Sequence, residues 1–184
     1  MTRFVGRWLS DALRLGLSLS VALAAMQLPA LAHDYAAALL QVAEDGRRDI
    51  AQREASARRF YPSAGDTDES VITALRPVEP SNAQALAASV ERTRALRAAY
   101  DRVEATAPLL RPIAAIADAV EDTQGDKRAV LWTALDTHAP QILISTASAV
   151  YGIVGLVLGS LAAEALLSAA SALLRRRRRV PVRT

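Results

Sequence analysis

Hydrophobic and polar positions divide the chain into two long uncharged runs with an amphipathic middle between them. The first run, Leu15 to Ala32, reads LGLSLSVALAAMQLPALA and has 18 residues; the second, Gln141 to Ala163, reads QILISTASAVYGIVGLVLGSLAA and has 23. At about 1.5 Å of rise per helical residue the first is at the lower limit for crossing a hydrocarbon layer about 30 Å thick, and the second crosses it with some tilt. The first run also has the form of a secretory signal. Arginines precede an apolar stretch from Leu17 to Met26, a break follows at Gln27 and Pro29, and Ala30-Leu31-Ala32 stands before His33 as an A-x-A cleavage site. Asp11 and a lead of 14 residues are unusual in a signal, so an uncleaved anchor is the preferred expectation and cleavage after Ala32 the alternative.

Between the runs the period is helical. Tyr35, Leu39, Val42, Ile50, Ala57 and Phe60 fall at three- and four-residue steps or their sums, and Asp49/Arg53 and Glu54/Arg58 are i,i+4 pairs, which predicts an amphipathic helix over 35–61. Gly46 falls on its apolar stripe and weakens it there. Pro62 to Pro80 reads as a loop, with room for one helical turn, around a short apolar core of Val71, Ile72 and Leu75. Ser81 and Gln84 have the capping-box spacing S-x-x-Q and predict the start of a second helix, striped by Leu86, Val90, Leu96, Tyr100 and Val103 as far as Pro108. The two helices make an antiparallel hairpin whose stripes are too narrow to stand alone. Cover is expected from a helix with Pro112 in its first turn and Ile113, Ile116 and Val120 on its apolar face, then from a short helix opened by Asp126 and carrying Val130, Leu131, Trp132 and Leu135.

Composition supports helix throughout. Of 184 residues 39 are alanine and only eight are aromatic, and alanine loses no rotamer entropy in a helix. An all-β sandwich or barrel is disfavoured. The absence of cysteine removes disulfides, thiolate nucleophiles and thiolate metal sites together.

Charge, followed along the chain, sets an orientation. Residues 1–32 carry +2, residues 33–140 carry −4 and residues 141–184 carry +5. The basic character therefore belongs to the ends, and a nucleic-acid partner is not expected from a mildly acidic middle. Arg3, Arg7 and Arg14 flank the first run, and Arg175, Arg176, Arg177, Arg178 and Arg179 follow the second. By the preference of positive flanks for the cytoplasm, both termini are inside and residues 33–140 are exported. The expected division is a cytoplasmic 1–14, a first span at 15–32, an exported periplasmic domain at 33–140, a second span at 141–163 with Glu164 at the cytoplasmic interface, and a basic cytoplasmic tail at 164–184.

In the second run Ser148, Gly152, Gly155, Gly159 and Ala163 recur at three- and four-residue steps, and Gly155 to Gly159 is a G-x-x-x-G. A face of small residues lets another helix approach to backbone contact, which replaces the hydrophobic drive that lipid does not supply. Gly16, Ser20 and Ala24 offer a matching face on the first run, so packing of the two runs on each other is the simplest reading and homodimerisation through the second run the sharper one.

Candidate chemistry is sparse. His33 and His138 flank the two runs and, with Asp34 and Asp136, would approach one interface, but the spacing is unlike H-E-x-x-H and interfacial polar residues are the plainer reading. Glu121, Asp122 and Asp126 cluster at Gly125 without calcium-loop spacing. Ser63, Ser70 and Ser81 lack a nucleophile elbow, and no glycine-rich phosphate loop is present. Neither catalysis nor a cofactor is expected.

Gln27-Leu28-Pro29, Tyr35 beyond it, Ala57 to Phe60, and Trp132 to Pro140 leading into the Gly152/Gly155/Gly159 run together resemble a proteobacterial family of uncharacterised two-span membrane proteins, a domain of unknown function. The resemblance covers roughly residues 20–165; the long lead and the arginine tail lie outside it. It implies a membrane protein and no particular activity. The expected fold is all-α, with two transmembrane helices flanking an exported helical hairpin or small bundle. The expected role is a non-catalytic inner-membrane interaction or scaffold protein with the bilayer and an envelope protein as partners. The alternative is a secreted helical domain, its signal cleaved, on a single C-terminal anchor.

Overall fold

A computed structural model describes residues 2–62, 64–140 and 145–177. Among them are seven helices and no strand: α1 (Thr2–Met26), α2 (Leu28–Phe60), α3 (Asp68–Leu75), α4 (Pro80–Ala105), α5 (Arg111–Val120), α6 (Asp126–Thr137) and α7 (Thr146–Arg177). They form two compact units, one of Met1–Ala30 with Pro140–Thr184 and the other of Leu31–Ala139.

In the first unit α1 and α7 pack against each other. Helix α1 begins at Thr2, so the lead before Leu15 is helical as well. It ends at Met26, at the break marked by Gln27 and Pro29, and not at Ala32: Pro29 has no N–H to donate back into a continuing ladder, and the chain turns at Gln27 before α2 resumes at Leu28. Helix α7 starts at Thr146, and Ser145 caps it by accepting the Ser148 N–H at 3.1 Å. The first four residues of the expected second span, 141–144, lie outside the described residues.

In the second unit α2 and α4 run antiparallel, with Glu44 meeting Arg97 at 3.0 Å and Gly46 facing Thr93. Two apolar clusters lie along them. Tyr35 and Leu39 of α2 join Leu96, Ala99 and Val103 of α4, Ala115 of α5, and Val130 and Ala134 of α6. Ile50 and Ala57 of α2 join Val71, Ile72 and Leu75 of α3 with Ala83, Leu86 and Val90 of α4.

Several expectations change here. Gly46 does not interrupt α2; a Cβ there would sit 2.5 Å from Thr93 Oγ1, so the glycine permits close approach of α4. The one helical turn expected within the loop is an eight-residue helix, α3, started by a capping box of Thr67 and Ser70. Ser81 is not the cap of α4: Glu79 holds that position without a side-chain cap bond and Pro80 occupies the first turn, where its fixed φ suits the helix. Phe60 is exposed rather than buried. The expected buried face of α5 is also reversed. Pro112, Ala115, Asp118 and Ala119 turn inward, while Ile113, Ile116 and Val120 face out.

Candidate functional site

The five small residues of α7 share one buried face: Ser148, Gly152, Gly155, Gly159 and Ala163. That face is closed by α1. A Cβ at Gly152 would lie 2.8 Å from Met26 Cγ, one at Gly155 2.6 Å from Ala25 Cβ and 2.9 Å from Ala22 Cα, and one at Gly159 2.8 Å from Ser18 Cα. Residue numbers fall on α1 as they rise on α7, so the pair is antiparallel, and Arg14 Nη2 meets Glu164 Oε1 at 3.4 Å in the same register. The helices are in backbone contact because no side chain stands between them.

The face that α1 presents differs from the one expected. Ser18 and Ala22 are buried and Val21, Ala25 and Met26 adjoin them, whereas Gly16, Ser20 and Ala24 are exposed. Ser18 and Ala22 stand four apart just as Gly16, Ser20 and Ala24 do, and periodicity does not choose between small residues offset by two positions. Ser18 costs little in this apolar contact because its hydroxyl donates to Arg14 O at 2.8 Å. The outward faces are large and apolar: Leu15 and Leu19 on α1, and Ile153, Val157 and Leu161 on α7, are each more than half exposed. Two apolar windows, within Arg7–Phe60 and within Thr146–Ser171, are long enough to cross a membrane.

Of the arginines expected to set the topology, Arg7 and Arg14 are exposed on α1, Arg3 lies in its first turn, and Arg175, Arg176 and Arg177 end α7. Arg178 and Arg179 lie outside the described residues.

In the second unit the polar groups are engaged with one another. Asp118 of α5 is buried and accepts from Tyr35 Oη at 3.0 Å, Arg102 Nη2 at 2.6 Å and Lys127 Nζ at 2.9 Å. Burial, and then the Asp118 carboxylate, push the Tyr35 hydroxyl well above its ordinary pKa, so it stays a donor. These four residues come from four helices, and no motif announced them. His138 Nδ1 lies 2.7 Å from Asp34 Oδ2, which ties the end of α6 to the start of α2. Neither His33 nor Asp136 completes a metal-ligating group with them; among the described residues no cluster of three or more such side chains occurs. Burial raises the pKa of Asp122, but the backbone N–H groups around Gly125 outweigh it and hold the carboxyl below its ordinary range. Asp122 thus orders the turn into α6, with Lys127 N–H donating to it at 2.9 Å. Glu54 is buried in α2 beside Arg58, with Oε1 unbonded.

Residues 9–176 match the family described as a protein of unknown function (DUF2937). No curated protein and no solved structure matches the chain.

Proposed function

The chain belongs to the DUF2937 family, and we propose that it is an integral inner-membrane protein in which the α1–α7 hairpin crosses the bilayer and holds Leu31–Ala139 on the exported side. One observation carries this reading: the hairpin keeps its small residues inside and its large apolar residues outside. Ala22, Gly155 and Gly159 are buried while Leu19, Ile153 and Leu161 are exposed. A helix pair folded in water has the reverse arrangement, because exposed leucine and isoleucine over two long helices would be a large apolar patch. In lipid the arrangement is favourable, since the tails solvate the large residues and close packing holds the helices together.

The arginines on both ends support termini in the cytoplasm. Retention of residues 1–32 is favoured over cleavage because α1 supplies the surface on which Gly152, Gly155 and Gly159 close. The exported unit acts by contact, as an interaction or scaffold module. A second copy would have to meet α7 on a face that α1 does not occupy. Reporter fusions test the topology: one at Gly65 is expected to be active on the exported side and one after Thr184 in the cytoplasm. A cytoplasmic readout at Gly65 excludes the hairpin.

A further inference from the structure

We infer that the lipid-covered part of the α1–α7 hairpin reaches past Arg14 as far as Phe4, so that the Arg14–Glu164 ion pair lies inside the hydrocarbon layer and not at its cytoplasmic edge; this rests on the membrane reading above. Helix α1 ends at Met26, which leaves 12 uncharged residues after Arg14, about 18 Å of helix against a layer about 30 Å thick. The chain beyond does not supply the difference: Leu28 and Leu31 are half-buried, and Ala32 belongs to the core of the Leu31–Ala139 unit. The missing length lies on the other side of Arg14. Phe4, Val5, Trp8, Leu9 and Leu13 are each more than half exposed, as Leu15 and Leu19 are. The outward apolar face from Phe4 to Leu23 is about 28 Å long, and Arg14 stands about 15 Å from its start.

Helix α7 agrees at the same level. Gly152 faces Met26 and Glu164 meets Arg14, 12 residues further along each helix, so the two run in step. Carried on from Glu164, that register sets the uncharged stretch Ala165 to Leu174 opposite residues 4–13, and Arg175 opposite Arg3. Both helices thus carry apolar sequence over the same further 15 Å or about that, and both reach their terminal arginines at one level. In water this length of outward leucine, valine and aromatic residues would be a large apolar patch. Hydrocarbon covers it by continuity with Leu15 and Leu19 on the same helix, and Phe4 and Trp8 then stand towards the headgroups, where aromatic side chains settle. The charges within the stretch keep to one row. Arg7, Asp11 and Arg14 precede Ser18 and Ala22 at steps of four and three, on the side of α1 that meets α7. Arg14 and Glu164 offset each other's charge at 3.4 Å, and Asp11 is one turn from both Arg7 and Arg14, which is how ionisable groups are carried inside a bilayer.

The chain has no cysteine, so single spin labels can be placed without altering other residues. The full chain is reconstituted in phosphatidylethanolamine/phosphatidylglycerol vesicles with one label at Leu9→Cys, Leu13→Cys, Leu19→Cys or Ala88→Cys, and collision with oxygen is compared with collision with a water-soluble nickel chelate. The expected result is an oxygen-to-nickel ratio at Leu9 and Leu13 severalfold above that at Ala88 and approaching that at Leu19. Water-like ratios at Leu9 and Leu13 with a lipid-like Leu19 would overturn this inference and leave the membrane reading standing. Water-like values at Leu19 too would overturn both. Protection of Leu9 and Leu13 from both reagents would mean a protein cover, a second copy or another partner, and would equally overturn it. The ion pair gives a second readout in unlabelled protein unfolded with sodium dodecyl sulfate in mixed micelles. Glu164→Gln leaves Arg14 alone in hydrocarbon and is expected to lower the midpoint, and Arg14→Gln/Glu164→Gln to recover most of the loss. Equal midpoints in the three proteins would mark a pair in water and overturn its placement.

Discussion

Adding one carbon to Gly155 is the sharpest perturbation of the α1–α7 contact. A Cβ there meets Ala25 Cβ at 2.6 Å, Ala22 Cα at 2.9 Å and Val21 O at 2.9 Å. Carbon atoms rest at about 3.5 to 4.0 Å, so the helices must part by about 1 Å, and two of the three obstacles are backbone that no rotamer change removes. Overfilling a close-packed contact costs about 1 to 3 kcal/mol, and interhelical contacts in membranes are themselves worth about 1 to 2 kcal/mol, so Gly155→Ala alone removes most of what this contact contributes. Gly159→Ala meets Ser18 Cα at 2.8 Å in the same interface. Once the helices have parted for one methyl the second costs less, and the double variant is expected to lose clearly less than the sum of the singles. Titration of purified protein with sodium dodecyl sulfate in mixed micelles, read by circular dichroism, measures this. Leu156→Ala and Leu158→Ala, on the outward face, are controls expected to change little. Equal loss in the glycine and leucine variants would refute the reasoning.

The register predicts that Arg14→Cys/Glu164→Cys is joined within one chain by a short bismaleimide while Arg14→Cys/Ser148→Cys is not, as intact mass will show. Asp118→Ala strands Tyr35 and the mostly buried Lys127 and is expected to cost about 3 kcal/mol in thermal or denaturant unfolding, at the low end for a broken buried pair because Arg102 returns to water, with Asp118→Asn costing less. Burial, with Asp68 beside it, holds the Glu54 carboxyl above its ordinary value of 4.5 against the pull of Arg58. Above that pH the unfolded chain ionises more readily than the folded one, so Glu54→Gln is expected to raise the melting temperature at pH 7 and to lose that advantage towards pH 4; a gain that persisted at pH 4 would contradict the assignment.

What was legible in the sequence follows from what each signal encodes. The small-residue row of α7 could be read because five positions at steps of three and four define one face, and the stripe of α4 because Leu86, Val90, Leu96 and Val103 are large as well as periodic. The inward face of α5 could not be read in the same way. Its buried residues are alanine, proline and an aspartate, and its large apolar residues point outward, so hydropathy favoured the wrong side. One spacing rule misplaces the cap of α4: Ser81 fits S-x-x-Q, but the rigid φ of Pro80 starts the helix first. Gly46 looked like a break because a missing side chain weakens a lone helix, yet here it admits Thr93 from a helix 47 residues away. The Asp118 group was out of reach for a related reason, since Tyr35 and Asp118 stand 83 positions apart and only packing brings them together.

The proposed function requires α1 and α7 to be held together in the membrane as one hairpin. The most direct test is the intact mass of the protein extracted from carbonate-washed membranes. Retention of residues 1–32 is predicted, because the buried faces of Gly152, Gly155 and Gly159 close on Ser18 to Met26. A mature chain beginning at His33 would contradict it.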